Sequence, residues 1–238
     1  MSKRFVTDKN NIYIEKQNVT LKGDAVHHIN VLRHKIGENV YVNEYEIQIK
    51  KLNKEVLEGI IVGELPQKGI PKVNITLIQS YLKSDKMDYV VQKAVELGVK
   101  NVIPVISKNT IVKMEEKDKI KKVERLSKIA KEAVEQCGRT DEVNIENVQH
   151  LTNINFKAYD KILICHETSS VKLKNILVGL DKVKSIAIIV GPEGGLEQTE
   201  VSQILQNENV TDISLGDRIL RAETASLAIL SILNYELD

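Results

Sequence analysis

Twice near its carboxyl end the chain passes from an apolar stretch, through a tight glycine-bearing loop, into a helical pattern. The two runs are IIVGPEGGLEQTE at 188–200 and SLGDRILRAETASLAIL at 214–230. The first predicts a strand ending at Val190 that breaks into Gly191, Pro192, Glu193, Gly194 and Gly195 before a helix starts. The second predicts a short strand ending at Leu215 and Gly216, a turn carrying Arg218 and Arg221, and a long apolar helix. Junctions of this kind present backbone N–H groups and side chains at the edge where α/β sheets bind ligands. Two of them so close in sequence are expected to lie side by side and form one pocket.

From about residue 71 the whole chain follows that class. Strands predicted at 73–79, 102–106, 161–165, 185–190 and 212–215 alternate with helices at 85–97, 118–137, near 172–179, 197–207 and 222–236. That alternation predicts an α/β fold: a mostly parallel sheet with helices on both faces. The long helix is expected to bury Ile120, Val123, Leu126, Ile129, Ala130, Ala133 and Val134, which recur at helical spacing. Residues 1–65 read differently, as short strands at 11–15, 39–42, 46–51 and 56–62 with one helical stretch, AVHHINVLRHK. This predicts a small β-rich barrel or sandwich carrying one helix. The segment 64–71, with Pro66, Gly69 and Pro71, is the expected boundary between domains at 1–70 and 71–238.

Length and composition narrow the function classes. A chain of 238 residues holds one large or two modest cores. Its 42% hydrophobic and 28% charged content is that of an ordinary soluble protein. No apolar run approaches the roughly 18–20 residues that span a membrane. The start, MSKRFVTDKNN, has no apolar secretion core, so a cytoplasmic protein without membrane association is expected. Cys137 and Cys165 stand far apart and form no ligand pattern; they are expected as reduced thiols, with Cys137 a small buried one and not a nucleophile. His27, His28 and His34 lack a carboxylate or cysteine to complete a ligand set, and no metal is expected.

Base usage is uneven. The chain has 28 Lys but six Arg, and Arg4, Arg33, Arg139, Arg218 and Arg221 all fall in or beside turn-rich segments; only Arg125 sits on a long lysine-covered helix face. A planar guanidinium suits phosphate and base edges where a lysine supplies a mobile point charge, so those five are read as placed for recognition. With no Trp and two Phe among few aromatics, a nucleic-acid partner would be held by phosphate contacts and shape more than by serial base stacking.

The GPEGG loop has neither G-x-G-x-x-G spacing nor a G-K-[ST] phosphate loop. Its glycines allow close backbone approach to a ligand, and the Glu193 carboxylate favours a cationic ligand or hydroxyl donor; a plain left-handed turn is the alternative. Arg218 and Arg221 stand three apart and are expected to converge, with Thr224 able to cap the last helix; a surface cluster of Arg221 with Glu223 is the alternative. Lys83 and Lys86 lie at the front of the helix that begins near 85, where the helix dipole disfavours cations, which points to an anionic partner or a solvated helix start. Gly138 reads as a C-cap, leaving Gln136 and Arg139 beside it unexplained. His166 follows a strand at the ligand-binding edge, or is satisfied polar packing.

GPEGGLEQTE, LGDRILRAETA, DYVVQKAVELGVKNVIPV, KEAVEQCGRT and HHINVLRHKIGE are spread over essentially the whole chain. Together they resemble the ribosomal RNA small subunit methyltransferase E family. The resemblance implies an S-adenosylmethionine-dependent enzyme that methylates N3 of one uridine of 16S rRNA in the small ribosomal subunit or its assembly intermediate. It also implies a PUA-like β-barrel RNA-binding domain, a SPOUT-class methyltransferase domain with a carboxyl-terminal trefoil knot, and a homodimer with its active site at the subunit interface. By position, the cofactor loops are 191–195 and 215–221, with the strand end near His166. Leu196, Ala222 and Cys137 depart from the family's usual aromatic, Thr and Ser.

On that reading the GPEGG loop and Gly216 cradle the cofactor, and Leu215, Ile219 and Leu220 seat its adenine. Arg221 stabilises the uracil N3 anion. Glu223 or Glu193 accepts the proton or orients an arginine. Arg4, Arg33, Lys83, Arg139 and Arg218 contact the RNA, with Arg218 gripping a phosphate or a loop carboxylate. The competing readings are a SPOUT enzyme acting on tRNA or another rRNA position, a non-catalytic RNA-binding protein, and a nicotinamide-dependent oxidoreductase suggested only by the α/β alternation.

Overall fold

Apolar residues of the chain collect into distinct cores, and two units form around them. The structure, a computed structural model, describes residues 4–66 and 69–237; Gln67 and Lys68 of the boundary segment lie outside the described residues. The first unit takes the chain up to Ile70 together with Val134–Asp141, and the second takes Pro71–Ala133 and the chain from Glu142 onward.

In the first unit, strands β1 (Arg4–Phe5), β2 (Ile12–Glu15) and β3 (Asn18–Lys22) lead to helix α1 (Asp24–Val31), followed by β4 (Asn39–Val42), β5 (Tyr45–Leu52) and β6 (Val56–Glu64). They make a six-stranded sheet in the order β1-β4-β5-β6-β3-β2. Its pairings are antiparallel except β1 with β4. Val19 and Leu21, Val40 and Val42, and Ile47 and Ile49 are buried with Ala25, Val26 and Ile29 of α1. This is the period-two pattern of a sheet with one covered face. Among the described residues no ladder joins β1 to β2, so the pairing is that of an open mixed sheet and not the closed barrel expected. Strands β1 and β3 fall outside the sequence expectations, being too short or too polar to stand out without their partners.

The chain rejoins this unit at Val134–Asp141, a return that one boundary at 64–71 does not anticipate. The Val6 N–H donates to Glu135 Oε1 at 3.2 Å, and Arg4 Nη1 donates to the Arg139 carbonyl at 3.1 Å. Arg4 and Arg139 are therefore buried, at 6% and 3% exposure. Arg139 also grips Asp141 with two bonds, Nε–Oδ1 at 3.0 Å and Nη2–Oδ2 at 2.8 Å. Both arginines are expected from sequence to contact RNA; burial in the protein's own packing withdraws them from that role. Arg33, by contrast, is exposed in the turn after α1, with φ of 59°.

The second unit is built from strands β7 (Asn74–Ser80), β8 (Asn101–Ile106), β9 (Asn144–Ile145), β10 (Gln149–His150), β11 (Lys161–Cys165), β12 (Ser185–Val190) and β13 (Val210–Ile213). Its helices are α2 (Lys86–Glu96), α3 (Glu116–Cys137, whose last residues belong to the first unit), α4 (Gln198–Ile204) and α5 (Ala222–Leu237). The sheet runs β10-β8-β7-β12-β11-β13, with β9 also on β8, and every pairing is parallel. Strands buried on both faces read as unbroken apolar runs, which is why the sequence predicts β11 and β12 to the residue.

Three local expectations fail here. Ile120 is 60% exposed, because the buried stripe of α3 is narrower than the periodicity suggests and centres on Leu126, Ala130 and Ala133. No α-helix forms at 172–179. The Ser214 N–H donates to the Val171 carbonyl at 2.8 Å, and Lys172 bridges to Ser214, so this backbone is held extended until short 3-10 turns at Leu173–Asn175 and Leu180–Lys182. Strand β13 ends at Ile213, two residues before the expected end at Leu215. Among the described residues no helix is long and apolar enough to cross a membrane.

Candidate active site

Register places the site. Cys165, the last residue of β11, stands opposite Val190 at the end of β12 and Ile213 at the end of β13. Three adjacent strands thus stop level, and the chain leaving each of them meets the others. The result is a cavity of about 490 Å³, within the range that encloses a ligand of nucleoside-cofactor size.

The two loops singled out in the sequence do share this cavity. Gly191, Pro192, Glu193 and Gly195 line one wall; Leu215, Gly216, Ile219 and Leu220 line another; His166 stands at the end of β11. Gly194 is not part of the lining, and its carbonyl instead accepts from Asn109 Nδ2 at 3.3 Å. The GPEGG loop is a turn closed by the Gly195 N–H to the Pro192 carbonyl at 2.9 Å. Gly191 has no room for a side chain: a Cβ there would lie 2.9 Å from the Leu196 nitrogen and 3.1 Å from the Gly195 carbonyl carbon. Gly195 and Gly216, at φ of +71° and +118°, are further lining positions where the backbone favours glycine, here for conformation and not for space.

The loop after β8 holds this turn from outside. Asn109 Nδ2 also donates to the Gly195 carbonyl at 3.2 Å, and Lys108 Nζ reaches Glu197 at 2.5 Å and Thr199 Oγ1 at 2.7 Å. Buried Glu200 accepts the N–H groups of Lys108 at 3.0 Å and Glu197 at 3.3 Å. The clamps from Lys108 are invisible to sequence reasoning, since they join residues some 90 positions apart.

Arg218 and Arg221 both line the cavity and are exposed, and neither guanidinium has a hydrogen-bonded partner among the described residues. Both come from the loop before α5, not from one face of a helical turn. Thr224 lies within α5, which starts at Ala222, and so does not cap it. The carboxylates are tied elsewhere. Glu223 pairs with Lys86 at 3.1 Å, and Glu193 accepts the Lys83 N–H at 3.1 Å and lies 4.0 Å from Lys86 Nζ. Lys83 is exposed. Lys86 therefore stands in the cavity wall between two carboxylates, which accounts for a cation at a helix front.

Burial pushes the Glu223 carboxyl up, but its own backbone N–H, the Lys86 hydrogen bond and the Lys86 and Arg221 charges outweigh this and hold it below the usual carboxylate range. The pair's contribution to stability is thus complete above the ordinary carboxylate pKa of about 4.3 and is lost as pH falls through the lower folded value. Lys86→Met should flatten that acid-side loss, and thermal unfolding followed from pH 7 downward measures it; an unchanged pH dependence would remove the pair from this role.

Cys165 lies in the cavity wall, and burial pushes its thiol up to about 12. It is protonated and unreactive at neutral pH. Cys137, expected from sequence to be buried, is exposed at the end of α3. Alkylation of the native protein at pH 8 should therefore modify Cys137 and leave Cys165 untouched until denaturation; peptide mapping reads this, and early labelling of Cys165 would contradict it. Among the described residues no three His, Cys, Asp or Glu side chains come together as metal ligands.

With a ligand cavity at level strand ends and two arginines along it, the site is one that α/β proteins use for a nucleotide-like ligand and an anionic substrate. Residues 70–234 match the family described as RNA methyltransferase domain. The ribosomal RNA small subunit methyltransferase E of Bacillus subtilis is 30% identical over 94% of this chain and 92% of its own length, and that of Aquifex aeolicus 34% over 90% and 92%. A crystal structure of the Neisseria gonorrhoeae ribosomal RNA small subunit methyltransferase E bound to S-adenosyl methionine superposes with a TM-score of 0.85 at 30% identity, covering 99% of this chain and 98% of that one. The chain belongs to the ribosomal RNA small subunit methyltransferase E family. The oxidoreductase reading drawn from α/β alternation alone is set aside by that membership.

Proposed function

We propose that this protein transfers a methyl group from S-adenosylmethionine to N3 of one uridine in 16S rRNA, on the small ribosomal subunit or its assembly intermediate. The observation that carries the reading is the cavity where the 191–195 and 215–221 loops meet, with two guanidinium groups along it that have no hydrogen-bonded partner among the described residues. The residues suit the cofactor. Gly191 and Gly216 bring bare backbone to the cavity. Leu215, Ile219 and Leu220 offer an apolar seat for adenine, and Ile219, 82% exposed, is a side chain with apolar surface to cover.

When bound, S-adenosylmethionine supplies an electrophilic methyl on its sulfonium. The protein must make N3 a nucleophile and hold it in line. Uracil N3–H is a weak acid between two carbonyls, so losing its proton leaves charge on N3 and both oxygens. Arg221, the residue immediately before α5, is assigned to stabilise that anion, since it lines the cavity and preorganised charge of this kind is worth most where water is excluded. Glu193, whose carboxylate lines the cavity, takes the N3 proton and passes it to solvent; Glu223, ionised and held by Lys86, orients this corner, and its lowered pKa makes it a weak proton acceptor. Holding two reactants in one cavity supplies much of the remaining rate. Arg218, Lys83 and Arg33, all exposed, are assigned to the RNA backbone. A PUA-like role for residues 1–70, a SPOUT-type knot in residues 71–238 and a homodimer, all three from family resemblance, and a cytoplasmic location, from the polar start MSKRFVTDKNN, complete the reading.

The test is mass spectrometry of nucleosides from small-subunit RNA incubated with the protein and methyl-labelled cofactor. Labelled 3-methyluridine at one position is expected. Label in another nucleoside, or in tRNA alone, would replace this substrate with a different one.

A further inference from the structure

Gln79 is a wholly buried amide near the end of β7, following the run Ile75, Thr76, Leu77 and Ile78. Register sets it opposite Val190 on β12 and Pro104 on β8. A buried amide costs stability unless its donors and acceptor are met, and here they are. Nε2 is within donating distance of the Ser80 carbonyl at 3.1 Å and of the Val190 and Gly191 carbonyls, both at 3.4 Å. Oε1 accepts the Ser226 hydroxyl at 2.5 Å. A helical serine ordinarily bonds back to the carbonyl four residues earlier. Ser226 does reach the Ala222 carbonyl at 3.0 Å, but its shorter contact is to Gln79.

One side chain thus touches one wall of the cavity directly and, through Ser226, the helix that carries the other. Val190 and Gly191 begin the GPEGG wall; Ala222, beside Arg221, and Ala225 begin the α5 wall. Ser226 is fully buried one residue further along the helix. An apolar residue at 79 would fill the space equally well, and it would avoid the desolvation of an amide. What it would not do is fix the GPEGG strand end at a set distance from the first turn of α5.

We infer that Gln79 and Ser226 form a brace that positions the cofactor loop against Arg221. Both are positioning residues and neither touches the reacting atoms. The inference rests on the proposed methyl-transfer function. It accounts for the only fully buried glutamine among the described residues, which no other part of the mechanism uses.

The experiment compares Gln79→Met, Ser226→Ala, their double variant and Leu126→Ala by calorimetric titration with S-adenosylmethionine and by methyl transfer at saturating cofactor, below each variant's unfolding temperature. Leu126→Ala cuts a fully buried side chain of α3 that does not line the cavity, and so reports the effect of instability alone. Gln79→Met is expected to weaken cofactor binding about tenfold, the loss of a pair of hydrogen bonds, and to slow transfer at saturation as well. Ser226→Ala should do the same to a smaller degree, and the double variant should be no worse than Gln79→Met, since two ends of one brace are not additive. Leu126→Ala should melt earlier yet bind as the wild type does. The brace is refuted if Gln79→Met and Ser226→Ala bind and turn over like Leu126→Ala. If Gln79→Met does not fold, Ser226→Ala alone decides. Failure of the wild type to bind the cofactor is a separate outcome and refutes the function, not the brace.

Discussion

Arg221→Ala is expected to lower the rate of methyl transfer by on the order of 10²–10³-fold, the effect of removing one preorganised donor to a developing anion. Cofactor affinity should change little, because the proposed adenosyl seat is backbone with Leu215, Ile219 and Leu220, which line the cavity on the same loop. The side chain is exposed and without a hydrogen-bonded partner among the described residues, so its removal leaves no buried group unsatisfied and the fold should be untouched. Single-turnover transfer and calorimetry on one preparation separate the two effects. A variant that methylates at the wild-type rate removes Arg221 from the chemistry; one that fails to bind cofactor makes it a ligand-binding residue instead.

Gly191→Ala should act the other way round, striking affinity first. The added methyl would meet the Leu196 nitrogen at 2.9 Å and the Gly195 carbonyl carbon at 3.1 Å, and both are backbone of the turn itself. Neither can swing aside as a flexible side chain would, so the turn must open. Overpacking of this kind costs typically about 1–3 kcal/mol, and here the strain falls on the cavity wall proposed to face the cofactor. A loss of cofactor affinity of at least about tenfold is expected, with transfer partly restored at high cofactor concentration. Gly179→Ala is the control, since it lies outside the cavity lining and its Cβ would meet nothing within 4 Å; the residue holds φ of +93°, which costs the variant backbone strain without a collision. Equal affinities for the wild type and Gly191→Ala would mean that this wall is not the cofactor's.

What could be read in advance follows a physical rule. Strands β11 and β12 are continuous apolar runs bounded by polar turns, and a buried parallel strand leaves that signature whatever surrounds it. The two glycine loops carry their own backbone requirements and are legible for the same reason. Strand β3 is not, because NVTLK shows only Val19 and Leu21 as apolar and becomes a strand by pairing with β2 and β6. Residues 172–179 have the composition of a helix but begin as extended chain beside Ser214. Burial of arginines is the largest misreading. Arg4 and Arg139 look like recognition residues only until the return of Val134–Asp141 brings them together, a contact of 135 positions' separation that no local pattern reports. Lys86 is visible as an oddity at a helix front, while its two carboxylate partners lie more than 100 residues away. Gln79 leaves a faint sign, one amide at the end of an apolar strand, and its meaning needs Ser226.

Everything else depends on where the methyl donor sits. A crystal of this protein soaked with S-adenosylmethionine should show the adenosyl group between residues 191–195 and 215–221, at the level ends of β11, β12 and β13, with the Arg221 guanidinium on the methyl side. Density for the donor elsewhere on the chain, or a donor in this cavity with its methyl turned away from Arg221, would contradict that placement.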